Sequence, residues 1–421
     1  MRRVLLVAYY TPPRKGVATA RTSALAHYLP AYGWQPTILT APLEYADART
    51  LQTPYLDLAR SLKRAVGIGE RSTHALLHTA PAERGARRTL RQRAIAFGFG
   101  LTSYPDAQVG WLAGTRALRA VLADASFDAV ISSSPPYTAT LMLALARTRI
   151  PWIADFRDLW AENDLRATPL VRAFDDPLER WALRRARALT TVSEPLAERL
   201  RKRYPARRVE SIPNAFDPRE WEGIPFDGER ACTLLYAGQL YLGRRDPRPL
   251  LRVVRALLDD GSVESEELRV ELYAPAEPWL HELIASFALE GVVRVHGMVA
   301  RDDVLRAERR ADRLVVLLWD GANTEGILTG KLFEYLGARR RIVVIGGPES
   351  SAVDDVLAAT GAGTRVTTDA ALRVEVLAAI AEHRRGETRR MVESASESYA
   401  APMLAHRFSR LLDEVAAPCE S

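Results

Sequence analysis

The fold is decided by the stretch MRRVLLVAYYTPPRKGVATARTSALAHYLPAYGWQPTILT, residues 1–40. A short apolar run at residues 3–8 ends in polar and proline residues, and a helical stretch and a second β-rich run at residues 36–40 follow. Apolar residues are continuous in these runs, which is typical of parallel strands covered on both faces. Residues 1–40 therefore predict a strand, a helix and a second strand, and the N-terminal run is expected to be a strand rather than a signal peptide.

The same alternation recurs along the chain. Further β-rich runs lie at residues 128–133, 152–155, 189–193, 209–212, and then at 233–237, 269–273, 292–296, 314–318, 341–345 and 364–367. A chain of 421 residues is also too long for one compact domain. We therefore predict an α/β protein of two doubly wound domains, with a cleft at the carboxyl ends of their sheets where such folds bind ligands.

A change of pattern separates the two series of strands. The stretch IPNAFDPREWEGIPFDGERAC, residues 212–232, has three prolines and keeps neither a helical nor a strand period, so the linker is predicted near residues 215–230. We expect a first domain at residues 1–220 and a second at residues 221–395. Residues 396–421 are expected to form a helix that crosses back to the first domain.

Composition favours a globular, cytoplasmic protein. The chain is 48% hydrophobic, and its 54 arginines and four lysines against 52 acids give a net charge of +6. Because no concentrated basic stripe is present, nucleic acid is not expected as a partner. Two cysteines exclude a disulfide framework and favour a reducing compartment. No stretch approaches the roughly 20 apolar residues of a membrane span.

One segment, residues 60–93, is strongly basic. Only Glu70 and Glu83 oppose its nine cations, which are Arg60, Lys63, Arg64, Arg71, Arg84, Arg87, Arg88, Arg91 and Arg93. The pattern predicts either a solvated helical insertion or a basic amphipathic surface that meets anionic lipid or an anionic acceptor. Peripheral contact with the inner face of a membrane follows from the second interpretation.

A glycine and a lysine open a predicted helix in GILTGKLFEYL, residues 326–336. The spacing of the glycines excludes a nucleotide-triphosphate loop. Gly330 and Lys331 still present backbone N–H groups, a helix dipole and an ammonium to one anion, which suits a diphosphate. Glu334 lies on the same helix face and Glu325 precedes the turn, so a carboxylate there can accept ribose or sugar hydroxyl protons. The alternative is a capping glutamate with a solvated lysine.

Two other loops carry candidates for binding an anion. Arg244 and Arg245, in AGQLYLGRRDPRPL, precede a predicted helix and can bind a phosphate bidentately, with Arg245 favoured; surface charge is the alternative. Gly16 permits close backbone approach to a substrate at the start of the first helix, or forms a tight turn. A single glycine in this loop, with Thr40 ending the second strand, argues against a nicotinamide cofactor.

An acidic cluster follows the strand of PWIADFRDLWAEN, residues 151–163. Asp155, Arg157 and Asp158 lie at the carboxyl end of that strand and are catalytic candidates, with a structural ion pair as the alternative. The preceding strand ends in SSSPP, residues 132–136, which is expected to line the same cleft. Histidines are scattered singly, so no protein-held metal is expected, and no G-x-S-x-G elbow supports nucleophilic hydrolysis.

Taken together, the motifs resemble glycosyltransferase family four, the retaining enzymes of GT-B fold with two Rossmann-like domains. The likeness runs in order over nearly the whole chain, through residues 1–40, YPDAQVGW, ISSSPPYTA, PWIADFRDLW, TTVSEPLAERL, IPNAFD, YAGQLYLGRRDP and TGKLFEYLGARRRIVVIG. It is similar in particular to a bacterial branch with a D-F-R-D-x-W loop that works on polysaccharides and glycosylated metabolites. The resemblance implies a nucleoside-diphosphate sugar donor, a hydroxyl-bearing acceptor (a small molecule, a glycan or a lipid-linked group), no cofactor and no metal.

The resemblance also implies roles for residues of the donor side. A cation from each of two loops holds the donor diphosphate in this family, which matches Arg245 and Lys331, and a glutamate on the following helix binds the ribose, which matches Glu334. The family's first glutamate would fall at Gly326, which Glu325 misses by one position.

Two other positions depart from the family. Gln239 stands where the family often has arginine, and Arg157 stands where it often has histidine. Asp158 then becomes the candidate for polarising the acceptor. Two other functions stay open: a nucleotide-sugar epimerase of the same fold, and a non-catalytic subunit that binds nucleotide sugars for a partner transferase. Release of nucleoside diphosphate that depends on an acceptor distinguishes a transferase from both.

Overall fold

A computed structural model describes residues 1–14, 16–58, 103–124, 126–163, 169–241, 244–319, 321, 324–387 and 393–417. The basic segment at residues 60–93, for which the sequence predicts a solvated helix or a lipid-binding surface, lies outside the described residues. None of the helices in the described ranges combines the length and the apolarity that crossing a bilayer requires.

Seven strands form the first sheet, in the order β3-β2-β1-β4-β5-β6-β7. Neighbouring strands from β3 to β6 run parallel, and every residue of β4 and β5 is buried, as continuous apolar runs predict. The order of strands reverses between β1 and β4, so the loops after these strands meet at one edge of the sheet. The strands are β1 (Arg2–Ala8), β2 (Trp34–Thr40), β3 (Thr50–Gln52), β4 (Ala129–Ser134), β5 (Trp152–Phe156), β6 (Ala188–Thr191) and β7 (Arg208–Ser211).

Six parallel strands form the second sheet, in the order β10-β9-β8-β11-β12-β13. Buried apolar residues cover both of its faces, since Val270 and Leu272 pack in one cluster and Leu314 and Val316 in another. The strands are β8 (Cys232–Ala237), β9 (Leu268–Tyr273), β10 (Val293–Val295), β11 (Arg313–Leu317), β12 (Ile342–Ile345) and β13 (Gly363–Val366).

Helices connect the strands of both sheets, as crossover connections between parallel strands require. They are α1 (Val17–Tyr28), α2 (Thr115–Asp124), α3 (Thr138–Ala146), α4 (Pro169–Leu183), α5 (Glu194–Arg203), α6 (Arg248–Asp259), α7 (Pro278–Ser286), α8 (Arg301–Arg310), α9 (Gly330–Ala338), α10 (Ala352–Thr360), α11 (Asp369–Arg384), α12 (Glu393–Ser396) and α13 (Ala401–Ala416). A 3₁₀ turn, Pro218–Trp221, lies between β7 and β8.

The chain divides into two compact units. The first comprises Met1–Thr191, Leu200–Glu210 and Phe408–Ser421, and the second Val192–Arg199 and Ser211–Arg407. Each unit contains one parallel sheet with connecting helices, which confirms the predicted α/β class with two doubly wound, Rossmann-like domains.

Candidate functional site

In the first unit, Asp155 at the end of β5 forms a buried ion pair. Both of its carboxyl oxygens accept hydrogen bonds from Arg21 on α1, at 2.9 and 2.8 Å, and one also accepts from the Thr190 hydroxyl at 2.7 Å. Both side chains of the pair are almost fully buried. This is the structural ion pair that the sequence left as the alternative, and it leaves Asp155 without the accessible oxygen that a catalytic role would need.

Arg157 lies in the loop after β5 and is held by the loops around it. One guanidinium nitrogen donates to the Ser133 hydroxyl at 3.1 Å and to the Ala18 carbonyl at 3.4 Å, and the other donates to the Pro135 carbonyl. Desolvation lowers the pKa of Arg157, against the opposing effect of its acidic neighbours Asp155 and Asp158. Its contact with Ser133 brings the SSSPP segment to this loop, as the sequence predicts.

Of the two candidate acids, Asp155 and Asp158, Asp158 is the one exposed to solvent. The surrounding protein raises the pKa of the Asp158 carboxyl by desolvation, and the adjacent Arg157 guanidinium opposes that rise. Because its residue is exposed, Asp158 is better placed than the fully buried Asp155 to meet a hydroxyl group.

Gly16 begins α1 at the same edge of the sheet. Its φ of 119° lies in the left-handed region that favours glycine, and its carbonyl accepts from the Thr19 and Ala20 amides at 3.0 and 3.1 Å. Ala18, two residues on, is the acceptor that binds Arg157. Gly16, Arg157 and Asp158 therefore lie on neighbouring loops at one edge of the first sheet.

In the second unit, Lys331 opens α9 beside two glutamates. The Thr329 hydroxyl caps the helix by accepting from the Lys331 amide at 3.2 Å. The Lys331 ammonium donates to Glu334, one turn along the helix, and to Glu308 on α8 at 3.3 Å. Desolvation lowers the pKa of Lys331, but Glu308 and Glu334 outweigh it and the pKa is raised, so the lysine carries its charge at neutral pH.

Glu334 belongs to a wider ion-pair network that the sequence did not predict. Its other carboxyl oxygen accepts from Arg301 on α8 at 2.9 Å, and Arg301 also binds both oxygens of Glu220, at 3.1 and 2.7 Å. These partners come from separate parts of the sequence. No local motif signals them, because only the packing of α8 against α9 brings them together.

Arg245 lies in the loop after β8, beside the Tyr236 hydroxyl. Its guanidinium sits 5.0 Å from the Tyr241 ring centre, and a Cβ on Gly238 would lie 3.8 Å from one of its nitrogens. Desolvation raises the pKa of Tyr236, and Arg245 and Lys331 both oppose that rise. The charges of the two cations that the sequence paired for diphosphate binding therefore both influence the pKa of Tyr236, a residue that sequence reasoning missed.

Arg244 takes a different position from Arg245. Its guanidinium stacks 4.7 Å above the ring of Trp319, just beyond the end of β11, and the residue is exposed. A stacked arginine is a cation–π contact with a partner of its own. The structure thus separates the two adjacent arginines, and Arg245 is the one that lies beside Tyr236.

The resemblance to family four would place its first glutamate at position 326, where this chain has glycine. The packing around Gly326 explains the absence of a side chain there. A Cβ there would lie 2.7 Å from Leu196 Cγ and 3.1 Å from the Ser193 hydroxyl, which itself donates to the Gly326 carbonyl at 2.7 Å. Glu325 is exposed, and its backbone carbonyl accepts from the Ala352 amide at 2.7 Å. A side chain therefore fits at position 325 and not at position 326. Gly330, at the first position of α9, is partly buried beside Lys331.

Comparisons with known proteins concern the family and the fold of the chain. Residues 16–215, just under half of the chain, match the family described as Glycosyl transferase 4-like domain. No curated protein matches the chain in sequence.

Several solved structures share its fold. Sucrose-phosphate synthase from Thermosynechococcus elongatus has a TM-score of 0.61 at 12% identity, over 98% of this chain and 99% of that one. HepE from Anabaena, in complex with UDP-glucose, has a TM-score of 0.58 at 12% identity, over 98% and 100%. A point mutant of TarM from S. aureus, in complex with Fondaparinux, alpha-GlcNAc-glycerol and UDP, has a TM-score of 0.61 at 8% identity, over 98% and 100%.

At identities this low the likeness establishes the fold alone. Residues 16–215 thus match a glycosyl transferase 4-like domain, and the chain shares the GT-B fold of these solved structures.

Proposed function

We propose that the protein is a retaining, metal-independent glycosyltransferase that moves a sugar from a nucleoside-diphosphate sugar to an acceptor hydroxyl. We assign the donor to the domain at residues 221–395 and the acceptor to that at residues 1–220, with products in polysaccharide or glycosylated-metabolite biosynthesis. The observation that carries the proposal is that two cations from separate loops, Arg245 beside the Tyr236 hydroxyl and Lys331 at the capped start of α9, both lower the pKa of that hydroxyl.

Two cations on one side of a helix start suit a diphosphate. Lys331 is capped into the first turn of α9 by Thr329, so the positive end of the helix dipole adds to its ammonium. Arg245 offers a planar guanidinium, which binds phosphate oxygens bidentately. Glu334, on the same face of α9, offers carboxylate oxygens to the ribose hydroxyls.

The same groups favour departure of the nucleoside diphosphate. As the glycosidic bond breaks, negative charge grows on the leaving phosphate, and fixed cations stabilise that charge most in the transition state. Attack by an acceptor hydroxyl from the side of the leaving group then retains the configuration of the sugar. Asp158, accessible in the first unit, is the candidate to accept the hydroxyl proton, and Arg157 holds its loop in place.

The relatives support this donor class. HepE is in complex with UDP-glucose and TarM with UDP, so uridine diphosphate sugars are the first donors to test. The acceptor is proposed only as a hydroxyl-bearing molecule. A lipid-linked acceptor, or contact with a membrane through residues 60–93, stays a prediction from the sequence.

A release assay tests the proposal. The protein is incubated with uridine, guanosine, adenosine and thymidine diphosphate sugars, with and without a panel of hydroxyl acceptors and with EDTA present. Acceptor-dependent release of nucleoside diphosphate, with NMR of the product showing a retained anomeric configuration, is the expected result. Release without an acceptor would indicate an isomerase or a hydrolase, and absence of both release and binding would contradict the proposal.

A further inference from the structure

A buried glutamate, Glu308, lies next to the proposed donor groups without belonging to any sequence motif. It occupies the last turns of α8 and is fully buried. One carboxyl oxygen accepts from the Lys331 ammonium at 3.3 Å. The other is buried and has no hydrogen-bond partner among the residues that the structure describes. A buried polar atom without a hydrogen-bond partner lowers the stability of the folded protein, so the protonation state of Glu308 needs an explanation.

The charges around Glu308 indicate whether its carboxyl group is ionised or neutral. Lys331 and Glu334 face it from α9, with the Tyr335 hydroxyl also near, and Arg301 lies on its own helix. Arg301 is itself paired to Glu220 and Glu334, which leaves two carboxyl groups around one lysine. A second buried negative charge there would be poorly compensated.

Protonation of Glu308 removes this second buried negative charge. The protonated acid keeps a carbonyl oxygen for Lys331 and gains an O–H, which can donate to the Glu334 carboxyl because both carboxyl groups contact the same Lys331 ammonium. Desolvation and the charge of Glu334 raise the pKa of Glu308 well above its ordinary value, and Lys331 only partly opposes them. The pKa of Glu334 is lowered instead: desolvation raises it, but the Lys331 ammonium and the Arg301 guanidinium help to outweigh that effect.

We propose that Glu308 is a positioning residue, a buried neutral acid that bridges Lys331 and Glu334 and holds both where they bind the donor. This inference rests on the proposed function, because it assigns the donor diphosphate and ribose to those two side chains. It adds a residue from α8 to a site otherwise built from α9 and the loop after β8. Glu308 itself touches no substrate in this assignment.

The proposal separates the effects of two substitutions. Glu308→Gln keeps a carbonyl for Lys331 and an N–H₂ donor for Glu334, so it mimics the neutral acid. Glu308→Leu keeps a similar volume but removes both contacts. We expect the Leu variant to lower kcat/KM for the donor at least tenfold, because a displaced Lys331 no longer stabilises the leaving diphosphate in the transition state, and the Gln variant to stay within threefold of wild type.

Glu382 provides the matched control. It is also a buried glutamate of the second unit, paired with Arg313 at 2.7 Å, but it lies on α11. Glu382→Gln is expected to lower stability without changing kcat/KM for the donor. A folded Glu308→Leu variant with a donor kcat/KM within threefold of wild type, or a Glu308→Gln variant as impaired as Leu, would overturn the proposal.

A second measurement does not depend on transferase activity. An unfolded glutamate releases its proton near pH 4.3, whereas the folded state keeps the proton on Glu308 to higher pH. Above that pH unfolding therefore releases a proton, and the stability from Glu308 falls as pH rises towards its folded pKa. Glu308→Gln lacks this loss, so its urea midpoint, followed by circular dichroism, should rise relative to wild type from pH 5 to pH 8.

The kinetic measurement and the urea midpoints distinguish failure of the proposed function from failure of the inference about Glu308. If no nucleotide sugar binds or reacts while the relative urea midpoint changes as expected, the proposed function fails and the neutral acid stands. If transfer occurs but the midpoints of the Gln variant and wild type keep a constant difference over this range, Glu308 is ionised and the inference is wrong.

Discussion

At the scale of single residues, the donor hypothesis depends most on Lys331 and Arg245. Lys331 is one of four lysines in a chain with 54 arginines, and it sits at a capped helix start between two glutamates. We expect Lys331→Ala and Arg245→Ala each to raise the barrier for transfer by about 2–4 kcal/mol, because each removes a charge-assisted contact to the leaving diphosphate.

The measurement is kcat/KM for the donor, with circular dichroism to confirm folding. Lys202→Ala, an exposed lysine on α5, and Arg306→Ala, an exposed arginine on α8, are the matched controls and should keep wild-type activity. Activity of both site variants within threefold of wild type would show that the diphosphate binds elsewhere.

Gly326 offers a residue-scale test of packing. Adding a methyl group there places it 2.7 Å from Leu196 Cγ, so we expect Gly326→Ala to destabilise the protein by about 1–3 kcal/mol. Gly228→Ala is the control, because no atom lies within 4 Å of its added Cβ. Urea denaturation measures both. Equal midpoints would mean that the loop before α9 shifts freely to accept a side chain.

At the scale of elements, the apolar runs of the sequence predicted the strands reliably. Most predicted strands agree with the observed bounds to within two residues, as with residues 152–155 against Trp152–Phe156, because buried parallel strands need continuous apolar residues. The short edge strand Thr50–Gln52 was missed, since its residues are partly or fully exposed and form no apolar run.

The candidate site was predictable only where its residues share a local motif. Lys331 and Glu334 lie three residues apart on one helix, and their contact follows from that spacing. Glu308 and Arg301 come from another helix, and Arg21 pairs with Asp155 across 134 positions of sequence. Such pairs depend on how elements pack, which one sequence without its fold does not reveal.

The Arg21–Asp155 pair connects α1 to β5, and Thr190 adds β6. We expect Asp155→Asn to lower the free energy of unfolding by about 3–5 kcal/mol, because it leaves the Arg21 charge buried without its counter-ion. Urea denaturation measures the loss. Asp176→Asn is the control, since that carboxylate is partly exposed on α4. If Asp155→Asn keeps wild-type stability and loses only activity, Asp155 is catalytic after all.

At the scale of the whole molecule, the chain builds two units from segments that are not contiguous. The first unit takes most of its residues from the N-terminal part, yet it also includes Phe408–Ser421. Trp34 on β2 donates to Asp413 at 2.8 Å, and Arg187 donates to the Val415 carbonyl at 2.9 Å. The end of α13 is therefore part of the core of a unit whose sheet begins at Arg2.

Phe408 tests this dependence of the first unit on the end of the chain. Its side chain is fully buried, and the Arg21 guanidinium lies 5.1 Å from its ring centre. We expect Phe408→Ala to cost about 3–5 kcal/mol through lost burial and the cavity that remains. The loss should appear in hydrogen exchange as weaker protection of β1 and β2, although more than 360 residues separate these strands from the substitution. Met403→Ala, on the same helix but 37% exposed, is the control and should leave that protection unchanged. Equal protection of β1 and β2 in the two variants would mean that the first sheet is stable without the buried ring.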